Sequence, residues 1–567
     1  MKIRSLILSS LACAAFCACS SDDIVDAVDN GTQTPAICPT DRAFIAVNIV
    51  NADAGTKGTA GEPPYYYGTA EEHVVATADF YFYNADGDYV GKGKAWDGKD
   101  ANGTGTGTTN NIELESNKFV VLDGLTGKTY PKYMVAVLNQ ESSLENMTLA
   151  EVEGKLQVEN ALSNELNKGH FVMSNSTYNH NNAGTRNFAV EVSDNNFLLE
   201  TPNMDEMTTD NVVTIHVERL AAKVQVSLAG NLGNKIQLTK PFEVDGVAKP
   251  LTVNVLGWGL NGTNKTSYLM KRIGDPDKNL GFTWNGSFRT FWAHSPNYNG
   301  GNYPADWNTL NTLGDNATLN YVSWNDLAIT CGEADYCKEN TNTAEKLKDG
   351  AFHSKLTEVL IKAQLEGFED EDLLRYEGKL YTSTNYIARV LHEVAPMGTT
   401  FWKKTGEVEG ATTYKELEAS DVEYVNAHDG NVTVVLTDDA KKAEWFTDAN
   451  GTKPATAADV QTAIDNVKPT AQCYHNGMMY YNVPIEHLRG GTFSYNEANE
   501  LQVNEADYGV VRNHYYMITV SKIENLGTAV YDPTENIVPN DKDKTTYYIG
   551  SVIKILSWKI VNQNVEL

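Results

Sequence analysis

Few residues of this 567-residue chain have the type and spacing to do chemistry, and the first that does is a cysteine. Lys2 and Arg4 precede an apolar run from Leu6 to Phe16, too short to span a bilayer, and Ala18-Cys19 closes it. That pattern is an export signal whose Cys19 thiol is placed for acylation. A plain secretory signal with small residues near the cut remains the other reading. Either way, the chain beyond residue 19 works outside the cytoplasm. An acyl chain adds about 0.8 kcal/mol per buried methylene, so it tethers without embedding. The second reactive point is Lys57-Gly58, a lone basic site in the Gly-, Ala-, Thr- and Pro-rich stretch 51–64 that an extracellular protease would reach easily. Arg42 is the other basic candidate.

The remaining chemistry-bearing groups lead to plainer readings. Cys38, Cys331, Cys337 and Cys473 form no CxxC pair, which leaves a structural zinc site with little support. Cys331 and Cys337 are near enough to close a small loop by disulfide in an oxidising compartment, and free thiols at both are the competing reading. Glu369 to Asp372 could mimic the carboxylate pair of a glycosidase, but a consecutive charge run reads as a solvated face. Glu486-His487, with His475 and His514 nearby, invites an acid/base reading, yet lone histidines beside strands more often serve packing. Asp86-Gly87-Asp88 has the start of calcium-ligand spacing without the remaining ligands. There is no G-x-S-x-G elbow, H-E-x-x-H or P-loop. The expectation is a protein that is not an enzyme and carries no cofactor or metal.

Charge removes another class of partner. Lys+Arg 45 against Asp+Glu 74 gives a net charge of −29, which repels phosphate backbones, so nucleic acid is not expected. Tyr 29 and Gly 44, with many Asn and Thr residues, favour strands and tight turns.

The elements that would position these groups read as follows. Residues 20–42 are an acidic, aperiodic stalk, followed by a strand over Ala43 to Val50. Val74 to Tyr83 alternates, and Asn84 to Asp88 turns it into a hairpin. Further strands are expected at Ile112 to Glu115, Phe119 to Leu122, Tyr133 to Leu138, Phe171 to Met173, Phe188 to Val192 and Val212 to Val217. Thr148 and Glu151 have capping-box spacing for a short helix. A domain boundary is placed near residue 220. Beyond it, Leu251 to Trp258 and Thr357 to Leu365 read as strands, separated by an irregular Trp- and Asn-rich stretch. Residues 366–472 read as insertions with helical signals at Tyr386 to His392 and Ala457 to Val467. Strands return at Met478 to Ile485, Arg512 to Val520 and Ile553 to Val561, the last after a polar linker, Tyr531 to Lys544. The fold class is all-β, two antiparallel β-sandwich domains with short helices and long loop insertions.

Arg512-Asn513-His514-Tyr515-Tyr516-Met517-Ile518-Thr519-Val520 with Leu526-Gly527, Ser557-Trp558-Lys559 and the closing Val565-Glu566-Leu567 resembles the Bacteroidales fimbrillins, type V pilus subunits, and within them the minor-fimbria shaft subunits most closely. Val217-Glu218-Arg219 with Lys223-Val224, and Trp258 with Ser267-Tyr268-Leu269, are similar to the same family. The resemblance implies transthyretin-like domains and a division into signal peptide 1–19, propeptide 20–57, an N-terminal domain 58–220 and a C-terminal domain 221–567. It implies a lipoprotein precursor in the outer membrane, acylated (palmitate) at Cys19. A trypsin-like maturation protease then removes the leader and first strand at Lys57-Gly58, and a neighbour's donor strand, residues 545–567, fills the vacated groove. Ile555, Trp558, Ile560 and Val561 are the expected inserting side chains. Its partners would be identical subunits head to tail, accessory tip and anchor fimbrial proteins, and host or bacterial surface receptors, in support of adhesion and biofilm formation. A monomeric surface lipoprotein that binds glycan or host protein, and a tip or anchor subunit of the same pilus, are the alternatives.

Overall fold

Short runs of alternating apolar, β-branched and aromatic residues oblige the backbone to pair into sheets, because only paired strands bury one face while satisfying every peptide group. The computed structural model describes residues 37–51, 69, 72, 77–96, 116–139, 143–157, 171–178, 187–200, 212–274, 292–350, 352–395, 400–488, 494–495, 501–539, 549–556 and 561–562.

The N-terminal sheet is built from β1 (Arg42–Asn51), β2 (Ala78–Tyr83), β3 (Tyr89–Trp96), β4 (Ser116–Asp123), β5 (Tyr133–Leu138), β6 (Met173–Asn175) and β7 (Val212–Arg219). Its order is β7-β6-β5-β2-β3-β4-β1, and β1 also pairs with β7, so the sheet closes on itself. Ala43, Ile45, Val47, Phe80, Phe82, Val120, Leu122, Met134 and Ile215 fill its interior. On the other face Tyr81, Tyr83, Val135 and Val137 pack against Leu149 and Val152 of α1 (Leu149–Glu153). Thr148 caps that helix with the expected box: its Oγ1 accepts from the Glu151 N–H and Glu151 accepts from the Thr148 N–H at 2.7 Å. The Asn84 to Asp88 turn is hairpin chemistry, with Asn84 N–H donating to the Asp88 carbonyl at 3.0 Å and Asp88 N–H to the Asn84 side chain at 2.9 Å. The strand expected at Ile112 to Glu115 lies outside the described residues.

Only Leu220 separates β7 from the first strand of the next set. That set comprises β8 (Ala221–Leu228), β9 (Thr252–Asn261), β10 (Ala334–Lys338), β11 (Glu358–Leu365), β12 (Met478–Pro484), β13 (Tyr515–Ile523), β14 (Ile549–Leu556) and β15 (Val561–Asn562). One sheet runs β10-β8-β13-β14-β15, and a second places β11 between β9 and β12. Val224, Val226, Tyr516, Ile518 and Val520 of the first meet Val253, Trp258, Val359, Ile361 and Met479 of the second in one core, the section of a β-sandwich.

Residues 366–472 depart from the expectation of loop insertions. They form most of a further sheet, in which Leu373–Tyr376, Lys379–Thr382, Ala471–Tyr474, Asn431–Leu436 and Val422–His428 pair. Helices α3 (Ser383–Val394) and α4 (Ala457–Asn466) cover it through Tyr386, Val390, Val460 and Ile464, around Val432, Val434 and Trp445. The alternation Val432, Val434, Leu436 carries this strand, and the acidic flanks hide it. Likewise the irregular stretch before Trp324 contains α2 (Trp307–Leu313), capped by Asp306 through the Thr309 N–H at 2.8 Å.

The polar linker also differs from expectation. Residues 531–539 are tied down: Asn325 N–H donates to the Pro533 carbonyl at 3.1 Å, Ile537 N–H to Val322 at 2.9 Å, and Val538 is buried. Water-soluble side chains there hide a backbone that pairs with its neighbours.

Gly262 follows β9 at φ 66°, and a Cβ at that position would meet the Leu356 carbonyl oxygen at 2.1 Å. Gly262→Ala should therefore lower stability by about 2–4 kcal/mol, from left-handed strain and overpacking together. Denaturant titration followed by Trp fluorescence reads the loss; an unchanged midpoint would mean that the turn tolerates a side chain.

Candidate functional site

The seat of β1 is the most specific arrangement in the N-terminal sheet. Its backbone pairs antiparallel with β4, Phe44 opposite Val121 and Ile45 opposite Val120, and parallel with β7, Ala46 opposite Val212 and Ile49 opposite Ile215. Phe197 and Leu198 add antiparallel bridges to Ile45 and Phe44. Because successive side chains alternate faces, a strand exposed on one side would leave every second residue in water. Here Ala43, Phe44, Ile45, Ala46 and Val47 are all buried. The β1–β7 pair is the parallel contact in a sheet whose other pairings are antiparallel, and it makes β1 the strand that closes the ring. Burial of Phe44, Ile45 and Val47 contributes about 5–9 kcal/mol. The vacant space that β1 would leave is lined by Val120, Leu122 and Ile215 and edged by two rows of unpaired peptide groups.

Arg42 is the first residue of β1, and its Nε lies 2.6 Å from the Asp123 carboxylate in a partly exposed pair. A cut after Arg42 would leave Ala43 to Asn51 seated. Lys57, Gly58 and Cys19 lie outside the described residues.

Glu72, between β1 and β2, is held in a buried charge cluster that sequence reading missed. Its carboxylate meets Lys223 Nζ at 2.5 Å and accepts from the Tyr336 hydroxyl, while its carbonyl accepts from Arg219 Nε at 3.0 Å. Burial pushes the Glu72 carboxyl up, and the hydrogen bonds from Lys223 and Tyr336 more than reverse it, leaving it below the usual carboxylate range. Close by, Lys271 pairs with Glu218 at 3.0 Å and Arg512 with Glu339 at 3.0 Å, all four buried. Arg512 also donates to the carbonyls of Tyr268 and Leu269. Glu72 ties the stretch before β2 to β7, β8 and β10, Glu218 ties β7 to Lys271, and Arg512–Glu339 joins the entry of β13 to the end of β10. Nothing in the spacing around Glu72 marks it, because its partners come from far along the chain.

At the other end, β14 pairs along its length with β13, Leu556 opposite Tyr515 and Ile553 opposite Ile518, and β15 adds two residues at the sheet edge, Val561 opposite Ile555. Ile555 and Val561 are thus adjacent in neighbouring strands, with only their backbones described. Trp558 and Ile560 lie outside the described residues. β14 ends at Leu556, where the alternation slips.

The other candidates are dispersed. Cys331 and Cys337 are free thiols in the structure, Cys337 fully buried in the sandwich core opposite Ala222, where burial pushes its thiol up. Among the acidic run, Asp372 is no solvated residue: it lies 2.8 Å from His475 Nδ1 and accepts from the Tyr424 hydroxyl at 2.6 Å. His487 Nδ1 sits 2.8 Å from the Tyr516 hydroxyl inside the fold. Trp292 and Trp324 are buried, Trp307 is half-buried, and Trp284 lies outside the described residues.

Residues 472–564 match the family model described as major fimbrial subunit protein type IV, fimbrillin, C-terminal. The matched segment holds β12 to β15. Among curated proteins nothing matches the chain. Three solved structures are similar to it in part. A fimbrilin of Porphyromonas gingivalis W83 is 13% identical with a TM-score of 0.35, covering 92% of this chain and 98% of that one. A Parabacteroides distasonis protein provisionally described as a cell adhesion protein is 10% identical with a TM-score of 0.35, covering 92% and 98%. The tip fimbrial protein Mfa3 of Porphyromonas gingivalis, with a C-terminal truncation, is 9% identical with a TM-score of 0.30, covering 86% and 97%.

Two measurements check this geometry. Glu72→Ala strands the buried Lys223 ammonium and should cost about 3–5 kcal/mol, while Glu72→Leu with Lys223→Met should recover most of it; equal losses in both variants would mean the pair is not what holds the segment. His216 of β7 is buried, and burial lowers its imidazole from 6.5 to about 4. Between those values the unfolded chain takes up a proton that the folded one refuses. The stability is fully present above about pH 6.5 and drains as pH falls toward 4, by at most about 3 kcal/mol. Melting curves between pH 7 and pH 4.5 should show this loss reduced in His216→Gln; identical pH slopes would exclude His216 as its source.

Proposed function

We propose that this chain, which carries the fimbrillin C-terminal region over residues 472–564, is a structural shaft subunit of a surface fimbria that polymerises by strand exchange. The observation that carries the reading is the seat of β1. A strand buried on both faces, closing its sheet through a parallel pair, leaves on removal a groove with two open edges and an apolar floor. Such a groove is filled by another extended strand that supplies both ladders and apolar side chains.

In this scheme the precursor is exported, acylated at Cys19 and carried to the outer membrane. A trypsin-like protease cuts at Lys57-Gly58 and β1 leaves with the propeptide. Glu72 supports the step physically: the mature chain keeps it, and its clasp on Lys223 holds the new N-terminal segment while β1 departs. Residues 545–567 of a neighbour then enter between β4 and β7. Residues 531–539 are tied to the sandwich, so the exchanging arm lies beyond them and is short. Head-to-tail repetition of one heterologous contact builds a filament. Tip and anchor fimbrial proteins would cap its two ends, and its surface would meet host or bacterial receptors in adhesion and biofilm formation. The chemistry needed is positional, and no catalytic role is assigned to any residue.

N-terminal sequencing of the surface-assembled form should read from Gly58, and gels of unheated sample should show a ladder that collapses on boiling. Deletion of residues 545–567 should abolish the ladder and leave export intact. A surface form that keeps Arg42–Asn51, or a tailless variant that still polymerises, would overturn the scheme.

A further inference from the structure

A cleft of about 330 Å³ opens beside α2, away from the β1 groove and from the C-terminal strands. Buried Leu310 and Leu319 form its apolar floor, and Trp307, Asp315, Asn320 and Asn536 stand around it. The volume falls at the low end of small-ligand clefts, about 300–1,000 Å³, which suits a compact ligand rather than an extended chain.

The indole at this cleft is fixed by a tight turn, one residue of which, His428, holds a left-handed backbone. The Trp307 ring stacks on the His428 imidazole with centroids 3.8 Å apart and planes 12° from parallel. Its backbone N–H donates to the Asp429 carboxylate at 3.2 Å. His428 is itself held 2.5 Å from Glu535, which also accepts from Asn426 at 2.6 Å. His428, Asp429 and Gly430 all have positive φ, at 66°, 51° and 71°. A hairpin turn of this kind favours Asn-Gly or Asp-Gly, and a left-handed histidine costs stability. Strain of that sort persists where a side chain must be aimed. The left-handed His428 and the Asp429 of the Asp-Gly turn beside it are the residues that hold Trp307.

We propose that this cleft is a binding site for a short, uncharged saccharide. An indole offers a flat apolar face to the C–H side of a sugar ring, and the buried leucines beneath extend it. Side-chain amides and a carboxylate pair with vicinal hydroxyls as donors and acceptors. At the rim the Lys265 ammonium, whose Nζ donates to the Asp315 carbonyl at 3.0 Å, offsets the Asp315 carboxylate, so the lining offers no net charge to recruit an ionic ligand, and the net charge of −29 adds to the disadvantage of an anionic one. The site is independent of strand exchange and would be present in monomer and filament alike.

The test uses the full soluble chain as monomer, in saturation-transfer difference NMR against methyl glycosides of neutral hexoses and N-acetylhexosamines, short neutral oligosaccharides, a sialylated trisaccharide and a tripeptide mixture. Transfer to ring C–H protons of a neutral saccharide is expected. Trp307→Ala should weaken it at least tenfold, and so should Asn536→Ala, an exposed substitution that should leave the melting temperature unchanged. Silence from all neutral saccharides, transfer only to the sialylated or peptide probes, or full binding by folded Asn536→Ala and Trp307→Ala would overturn the proposal. Loss of polymerisation bears only on the fimbrial reading, and loss of saccharide transfer only on this one.

Discussion

The N-terminal sheet depends on one strand being held from both sides. β1 brings an antiparallel ladder to β4, a parallel ladder to β7 and five consecutive buried residues, of which Ala43, Ile45 and Val47 face the interior. Backbone groups left without partners in a buried setting carry a desolvation penalty, and apolar walls left facing water forfeit their burial. The sheet therefore tolerates β1 or a substitute for it, and does not tolerate an empty seat. A polymerisation scheme needs that property: a bond strong enough to hold, and a site that stays unsatisfied until a correct strand arrives.

In the proposed scheme the charge clusters would keep the rest of the structure fixed while that seat is vacated. Glu72–Lys223 and Glu218–Lys271 are buried pairs that cross from the N-terminal sheet and its approach to residues beyond Leu220, and Arg512–Glu339 is a third buried pair within the sandwich. Buried pairs add little to stability over apolar packing, but breaking one is costly, so they fix relative geometry more than they contribute net energy. Glu72 sits on the stretch between β1 and β2, which separates what the proposed cut removes from what remains. The anchored stretch 531–539 plays the matching role near the other end, fixing where a C-terminal arm could begin to move.

Much of this was legible before any coordinates. The Ala43 to Val50 strand, the Thr148 capping box, the Asn84 to Asp88 turn and the strands at 357–365, 478–485 and 512–520 follow from alternation and local hydrogen bonding, which are written into neighbouring residues. What stayed hidden depends on distant contacts. Nothing near Glu72 announces Lys223, and nothing in the acidic run announces that Asp372 bonds His475 and Tyr424. The 366–472 region misled because Val432 and Val434 are flanked by charge, so a packed sheet with its own core read as insertions. The linker at 531–539 misled for the converse reason: polar side chains covered a backbone whose partners, Val322 and Asn325, lie two hundred positions away in sequence, on the order of a domain's length. For residues 545–567 alternation predicts a strand with a slip near Leu556, where β14 ends, and does not by itself choose an inward face.

The account turns on which strand lies beside β7 in the filament. Thr214, exposed on β7 and opposite Asn48 of β1, is a position for a photo-crosslinking residue that reports its neighbour. In the precursor, irradiation and peptide mapping should join residue 214 to the Arg42–Asn51 segment of the same chain. In assembled filaments the account predicts that the same residue joins residues 545–567 of a different subunit, giving a covalent dimer band. A cross-link to Arg42–Asn51 in the filament, or to the tail of its own chain, would contradict it.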